Sequence, residues 1–470
     1  MTKEGSILRK DVVGWSLYDF ANTIYSMNIV SLYLKRYIVE DLKFDDRYFD
    51  IPFSLSMLCA AVVLPALGAL SDHSTKKKIF LFLFTLSCCT AVGLMALVPP
   101  SAIFAVMLLF VIANFSYEAG QPFYNALLYS VADGNRARFV SGIGVSLGYV
   151  GSIVGMIVVL PFVTGSLFSY DLTFIEGWGK PGAFVPTAIL FFLFALPLFW
   201  WVRESKIHIP RKIKFIEAYH DVWQGIKETK KYPGVLRFLI ADYFFEDAVM
   251  TVIINIGLFG SVVLGMADRD LTVFLVISTV SAVIGSFLIG KIAERISLKK
   301  LVQMIVVGWI VCLILFACGI HLLTLVLYSS LQLLTQIFKG DLWVAYQLSE
   351  FGAVWVLGSA VGVLMGGLWT TTRPMLAELV PRRELGRFFG LFSLSGRAAA
   401  IFGPLVWTTV VFLFKKDGLL GPALAELFVI DVSGLTKLSY KLAVLSLVVM
   451  LLIGLFIFRK VPLAKKDSDG

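Results

Sequence analysis

The stretch GALSDHSTKKK at residues 68–78 returns in altered form as GKIAERISLKK at residues 290–300. In each copy a glycine (Gly68, Gly290) closes a long apolar run and a carboxylate follows four residues later (Asp72, Glu294). Lysines then end the stretch: Lys76, Lys77 and Lys78 in the first copy, Lys299 and Lys300 in the second. A chain that carries one loop twice, 290 − 68 = 222 residues apart, is expected to fold as two similar halves. Taken alone, the lysines serve equally well as orientation signals beside membrane spans.

What the halves are made of follows from composition. Hydrophobic residues make up 58% of the chain, charged residues 16%, and mean hydropathy is +0.85, against roughly 45–50% and about 25% in soluble domains. The chain therefore reads as an all-α polytopic membrane protein. Its first apolar run follows a short basic start but carries Asp19 and Asn22 and no small-residue cleavage site, so it is expected to remain as a span. A net charge of +9 is spread over the ends of spans, where headgroups and topology account for it. Nothing matches a nucleic-acid reader, and no nucleic-acid partner is expected. The five cysteines lie inside apolar runs and the four histidines lack metal-ligand spacing, so neither a disulfide framework nor a metal is expected, and no cofactor is implied.

About 20 apolar residues cross ~30 Å of hydrocarbon. On that measure spans fall near 13–37, 51–71, 79–98, 102–131, 139–163 and 184–202, then 236–264, 271–290, 301–320, 351–379, 388–412 and 440–458. Twelve transmembrane helices in two pseudo-symmetric six-helix bundles result. The bundles occupy 1–202 and 236–458, with a linker at 203–235 and a tail at 459–470. With the termini inside, 28 of the 41 Lys and Arg residues lie on the inner side, 11 outside, and two, Arg373 and Arg397, within spans. That asymmetry puts both termini and both repeated loops in the cytoplasm. Lys35, Arg36, Lys43 and Arg47 run against it.

In the linker Ile213, Ile216, Tyr219, Trp223 and Ile226 recur at helical spacing among lysines, which predicts a helix lying on the membrane surface. A second echo aligns 125–149 with 373–397 at an offset of 248. Since 248 − 222 = 26, the second half carries 26 extra residues, at about 321–350; these are expected to form an external loop with a membrane-lying helix.

Ionisable residues deep in spans favour the first helix of each three-helix repeat. Asp19 lies in span 1, Glu118 in span 4, Asp242, Glu246 and Asp247 in span 7, and Arg373 in span 10; Arg397, in span 11, is the exception. A charge at the bilayer centre costs roughly 2.5–3.5 kcal/mol, so these groups need water or partners. In span 4, Asn114, Glu118, Gln121 and Asn125 form one helical stripe. Amides around a carboxylate can hold a small polar solute while Glu118 takes an amine or a proton; they can equally join helices. Glu246 and Asp247 are candidates of the same kind, while Asp242, nearest the surface, reads as structural. Arg373 offers a forked donor to an anion or to one of these carboxylates. Span 5 places Gly144, Gly148, Gly151 and Gly155 on a close-packing seam.

The repeated loop resembles the signature loop of the major facilitator superfamily, with His73 where Arg is usual, Thr75 where Gly is usual, and Glu294 for Asp beside a retained Arg295. More narrowly, GWSLYDFANTIYS at 14–26, FLIADYFFEDAVMTVI at 238–253 and the segment at 370–404 are similar to the branch of autophagy-related vacuolar amino-acid effluxers and their bacterial relatives. That resemblance implies the major facilitator fold, and marks Tyr18, Asp19, Asn22, Asp247 and Arg397 as branch signature positions. It also implies a central cavity lined by the first helix of each three-helix repeat, and gating loops in which Asp72 meets span 11 near Arg387. A secondary transporter is expected: a monomer in a bacterial inner membrane, among lipid, moving a small polar molecule such as an amino acid, with protons as the candidate coupling ion. No G-x-x-x-x-G-K-[ST] loop is present to support nucleotide hydrolysis. The rival readings are a membrane-embedded enzyme and a non-transporting sensor or scaffold.

Overall fold

A computed structural model describes residues 9–73, 76–132, 134–167, 170–171, 177–204, 215–293, 295–319, 342–380, 385–428 and 430–462. In lipid each backbone N–H and C=O must find its partner within the helix, and the apolar runs accordingly become long helices. Helix α1 (Lys10–Tyr25) continues without a break through π-helical Ser26–Tyr33, a turn at Leu34–Arg36 and π-helical Tyr37–Asp41. There follow α2 (Arg47–His73), α3 (Lys77–Met95), α4 (Ile103–Val131), α5 (Gly134–Thr164), a two-residue hairpin of β1 (Ser166–Leu167) and β2 (Tyr170–Asp171), and α6 (Phe184–Trp201). The linker holds α7 (Phe215–Glu228). Then come α8 (Val235–Val262), α9 (Asp268–Ala293), α10 (Leu298–Ile314), α11 (Leu342–Leu379), α12 (Leu385–Phe414), a short α13 (Gly421–Phe428) and α14 (Val432–Arg459).

Among the described residues, eleven helices are long and apolar enough to cross a membrane. Helix α1, whose α-helical part is 16 residues long before its π turns, completes the expected twelve. The hairpin between α5 and α6 is a small departure from an all-helical chain. Leu342–Glu350, at one end of the expected external loop, forms the start of α11; residues 320–341 lie outside the described residues.

Residues Met1–Gly225 with Ile253–Leu258 form one compact unit, and Ile226–Val252 with Phe259–Gly470 form a second. Within the first, α2 and α3 pack on α4, and α3 packs on α6. Within the second, α9 and α10 pack on α11, and α10 on α14, so the same three pairings recur. In the first unit the span 5 glycines lie against α1. A Cβ at Gly151 would stand 2.2 Å from the Phe20 carbonyl oxygen, so only glycine admits this approach. In α7, Tyr219, Trp223 and Ile226 are exposed, leaving an apolar face on a helix that carries Lys227 in its last turn. Ile213 lies outside the described residues.

Candidate functional site

In the first unit the span 4 stripe divides. Asn114 is buried: its amide donates to Ser56 Oγ at 2.8 Å and contacts Met57 Sδ at 3.6 Å, while its oxygen accepts from the Tyr25 hydroxyl at 3.4 Å. The amide thus joins α4 to α1 and α2, the helix-joining role that the sequence leaves open beside solute binding. Glu118 and Gln121 are half-buried and Asn125 is exposed. Glu118 lies within electrostatic reach of Tyr25 and Tyr117, whose rings sit 4.9 Å apart.

On α1, Asp19 is half-buried and its carboxyl carbon lies beside Gly148 of α5. Thr23 Oγ1 donates to the Gly148 carbonyl at 2.6 Å. Trp15 stacks on Tyr124 at 4.7 Å and donates to that residue's carbonyl at 3.1 Å, and Tyr18 bonds Thr85 at 2.8 Å. These contacts hold α1 in one rotation, with Asp19 between α1 and α5. Asn22 is buried with its amide oxygen unanswered. Asn28, fully buried in the π-helical stretch, has neither end of its amide hydrogen-bonded. Buried polar groups are otherwise nearly always paired, and π turns recur at functional sites. Asn28 did not stand out in the sequence because it belongs to no motif or stripe; only the backbone widening marks it.

In the second unit, three carboxylates of α8 meet different fates. Asp247 is fully buried and accepts from the Gly403 N–H at 2.7 Å. Gly403 precedes Pro404, whose ring removes a donor and opens the α12 ladder, so the carboxylate answers a backbone group beside that break. A Cβ at Gly403 would lie 1.9 Å from Thr251 Oγ1 and 2.4 Å from Asp247 Oδ1. Glu246, half-buried, accepts from Trp369 Nε1 at 3.1 Å and lies within electrostatic reach of Arg373, which is itself exposed. Asp242 is buried with neither oxygen hydrogen-bonded. Arg397 is half-buried.

The two units use one scheme. Gly155 of α5 packs on Ile24 and Asn28 of α1, and Gly403 of α12 packs on Asp247 and Thr251 of α8. The helix offsets are 247 − 24 = 223 and 403 − 155 = 248, matching the sequence echoes within one residue. At an offset of 223, Asp242 stands where Asp19 stands in the first unit.

At the repeated loops, Gly68 and Asp72 both belong to the last turns of α2, and Gly290 to α9. Lys76 and Arg295 are exposed and Lys77 is half-buried. Glu294 and the side chains of Asp72 and Arg387 lie outside the described residues. Two further lysines of these loops tie them down. Lys78 donates to the Val202 carbonyl at 2.7 Å and its backbone N–H bonds the Glu204 carboxylate; Lys299 donates to the carbonyls of Arg459, at 3.0 Å, and Val461. Each loop is thereby fastened to the end of the sixth span of its half, where unpaired carbonyls favour a cation.

A buried ion cluster was read in the sequence only as charge against the topological trend. Lys35 Nζ lies 2.7 and 2.8 Å from the two Asp50 oxygens, 3.6 Å from Asp46, and bonds Asn255 of the Ile253–Leu258 segment. All three charged side chains are at most 2% exposed. Beside them Arg36 pairs with Glu40 at 3.1 Å, and Lys180 reaches Glu40 at 3.0 Å and Asp41 at 2.6 Å. The available signal was the trend violation itself, since a cation on the wrong side of a span is often one with a private anion.

Long apolar helices, two units repeating the same pairings and carboxylates set within spans define a multi-pass membrane transporter. The sequence matches the family of vacuole effluxers like Atg22 over residues 129–435, and the chain belongs to that family. Residues 2–156 match the major facilitator superfamily. An MFS-type transporter of Bacillus subtilis, YxiO, is 26% identical over 89% of this chain and 92% of its own length. Autophagy-related protein 22 of Eremothecium gossypii is 21% identical, with 86% of each chain covered. The crystal structure of a point mutant of the nucleoside transporter NupG superimposes with a TM-score of 0.69 at 16% identity, covering 96% of this chain and 99% of that one. These relatives are transporters, which sets the enzyme reading aside.

Proposed function

We propose that this transporter is a secondary carrier of a small zwitterionic metabolite, with an amino acid as the leading candidate, moved by alternating access and coupled to a proton gradient. The observation that carries the reading is that Glu246, which accepts from Trp369, lies in the second unit within electrostatic reach of the exposed guanidinium of Arg373. One accepts an ammonium and the other grips a carboxylate. Asp19, Asn22, Glu118, Gln121, Asn125, Asp247 and Arg397 are the further residues proposed to hold substrate or proton. The family description, vacuole effluxer Atg22-like, supports a transport role, and the nucleoside carrier supplies the second substrate class to test. We further propose a monomer in a bacterial inner membrane with cytoplasmic termini, bundles at 1–202 and 236–458, and repeated loops that gate the cycle.

Solute counterflow in proteoliposomes, with a panel of amino acids, peptides, nucleosides and sugars, tests the reading. An amino acid should exchange without chemical conversion; exchange of nucleosides alone would overturn the substrate class, and product formation the transport reading. With the exchanged solute, Glu246→Gln and Glu118→Gln are each expected to lower pH-gradient-driven movement about tenfold or more, the equivalent of one lost charged hydrogen bond. If both variants follow pH as the parent does, these carboxylates carry no proton. Asp72→Ala is expected to lower transport while protein remains in the membrane, and unchanged flux would remove the gating role.

A further inference from the structure

We propose that Asp242 and Glu246 of α8 form a single proton-binding pair, with Asp242, a residue outside the substrate contacts assigned above, as its buried member. The inference deepens the coupling part of the proposed function and rests on it only for the purpose the proton serves.

The argument begins with what each α8 carboxylate is given. Asp247 receives a backbone N–H from Gly403, and Glu246 receives the Trp369 indole and the field of Arg373. Asp242 is 1% exposed, and among the described residues neither of its oxygens has a hydrogen-bond partner. An isolated buried carboxylate is not tolerated in ionised form without a compensating charge or donor. Glu246 is one helical turn away on the same face and interacts with it electrostatically, which adds repulsion when both are ionised.

The surrounding elements supply no other answer. On α8 itself the nearest base is Arg237, more than one turn toward the helix start, and it donates to the Lys460 carbonyl at 3.3 Å. Helix α11 directs Trp369 and Arg373 to Glu246. Helix α12 lays Ser395 on the Leu239 carbonyl at 3.4 Å and brings Gly403 to Asp247, with Arg397 two residues beyond Ser395. Helix α14 lays Gly454 and Phe458 against Phe245. No group of three or more His, Cys, Asp or Glu among the described residues is arranged to hold a metal ion. A proton needs only the two carboxyl groups. Its release requires no more than an approach to Glu246, which is half-buried where Asp242 is closed off. The place of Asp242 corresponds to that of Asp19, so a carboxylate at this level of the helix belongs to both halves of the fold.

The experiment is acid–base difference infrared spectroscopy on the full chain in nanodiscs without added solute, following the carboxylic C=O band and its shift in heavy water. Two groups coupled by more than about one pH unit lose their protons in two macroscopic steps. The parent is expected to show two steps, and Asp242→Asn and Glu246→Gln are each expected to show one, moved by about one pH unit or more from either parental midpoint. Should Asp242→Asn fail to fold, Glu246→Gln alone reads the same coupling. Titration of Asp242→Asn or Glu246→Gln at unchanged parental midpoints would overturn the proposal. Because no substrate enters the measurement, that failure is distinct from a negative counterflow panel.

Discussion

Replacing Lys35 with methionine is expected to destabilise the protein by about 3–5 kcal/mol, the cost of leaving buried charge uncompensated. Its ammonium answers both oxygens of Asp50, which is 0% exposed, approaches Asp46 and bonds Asn255. Removing it takes the cation from both oxygens of Asp50 in a place from which water is excluded. Asp50→Asn is expected to cost less, because the lysine keeps Asp46 at 3.6 Å and its bond to Asn255. The double variant Lys35→Met/Asp50→Asn should recover much of the loss, and equilibrium unfolding in mixed micelles across the four proteins yields the coupling directly. Such neutralised pairs are often nearly as stable as the original pair. A Lys35→Met protein within about 0.5 kcal/mol of the parent would mean that the cluster carries no net ionic stabilisation. Arg47→Ala is the contrasting case, since its pair with Asp45 at 3.1 Å is exposed and worth about 0–1 kcal/mol.

Lys35 also shows where sequence reading stops. Span positions, the duplicated loop and the small-residue seam were legible because each rests on periodicity along one helix, which lipid enforces residue by residue. The cluster rests on three segments meeting, at Lys35, Asp46 to Asp50 and Asn255, and no pattern along the chain joins those positions. The same limit explains the fate of Asn114 and Asp242. A helical stripe shows that Asn114 and Glu118 share a face, but not that Ser56 and Tyr25 reach the first and leave the second half-open. Distance from the span end makes Asp242 look superficial, whereas α11, α12 and α14 close around its helix. The repeated loops were legible as loops, yet their fastening falls to Lys78 and Lys299, because a helix end elsewhere in the fold decides which lysine finds a carbonyl.

Gly151→Leu is expected to separate α1 from α5, and with them Asp19 from its bed at Gly148. A Cβ at this position would lie 2.2 Å from the Phe20 carbonyl oxygen and 2.7 Å from that residue's carbonyl carbon and Cα. These are backbone atoms of a continuous helix, so no rotamer change relieves the overlap and one helix must move. Overpacking of this kind costs about 1–3 kcal/mol and at times more, and here it also breaks the 2.6 Å bond from Thr23 to the Gly148 carbonyl. The expected result is a lowered unfolding midpoint, with indole fluorescence of Trp15 changed as its 4.7 Å stack on Tyr124 opens. Gly142→Leu, on the same helix at a position where a Cβ meets nothing within 4 Å, should stay within about 0.5 kcal/mol of the parent or gain slightly from helix propensity. The contrast separates a close-packing requirement at one face of α5 from a general intolerance of bulk in that helix. Equal losses at Gly142 and Gly151 would mean that the glycines serve flexibility along α5 and that its contact with α1 sets no limit.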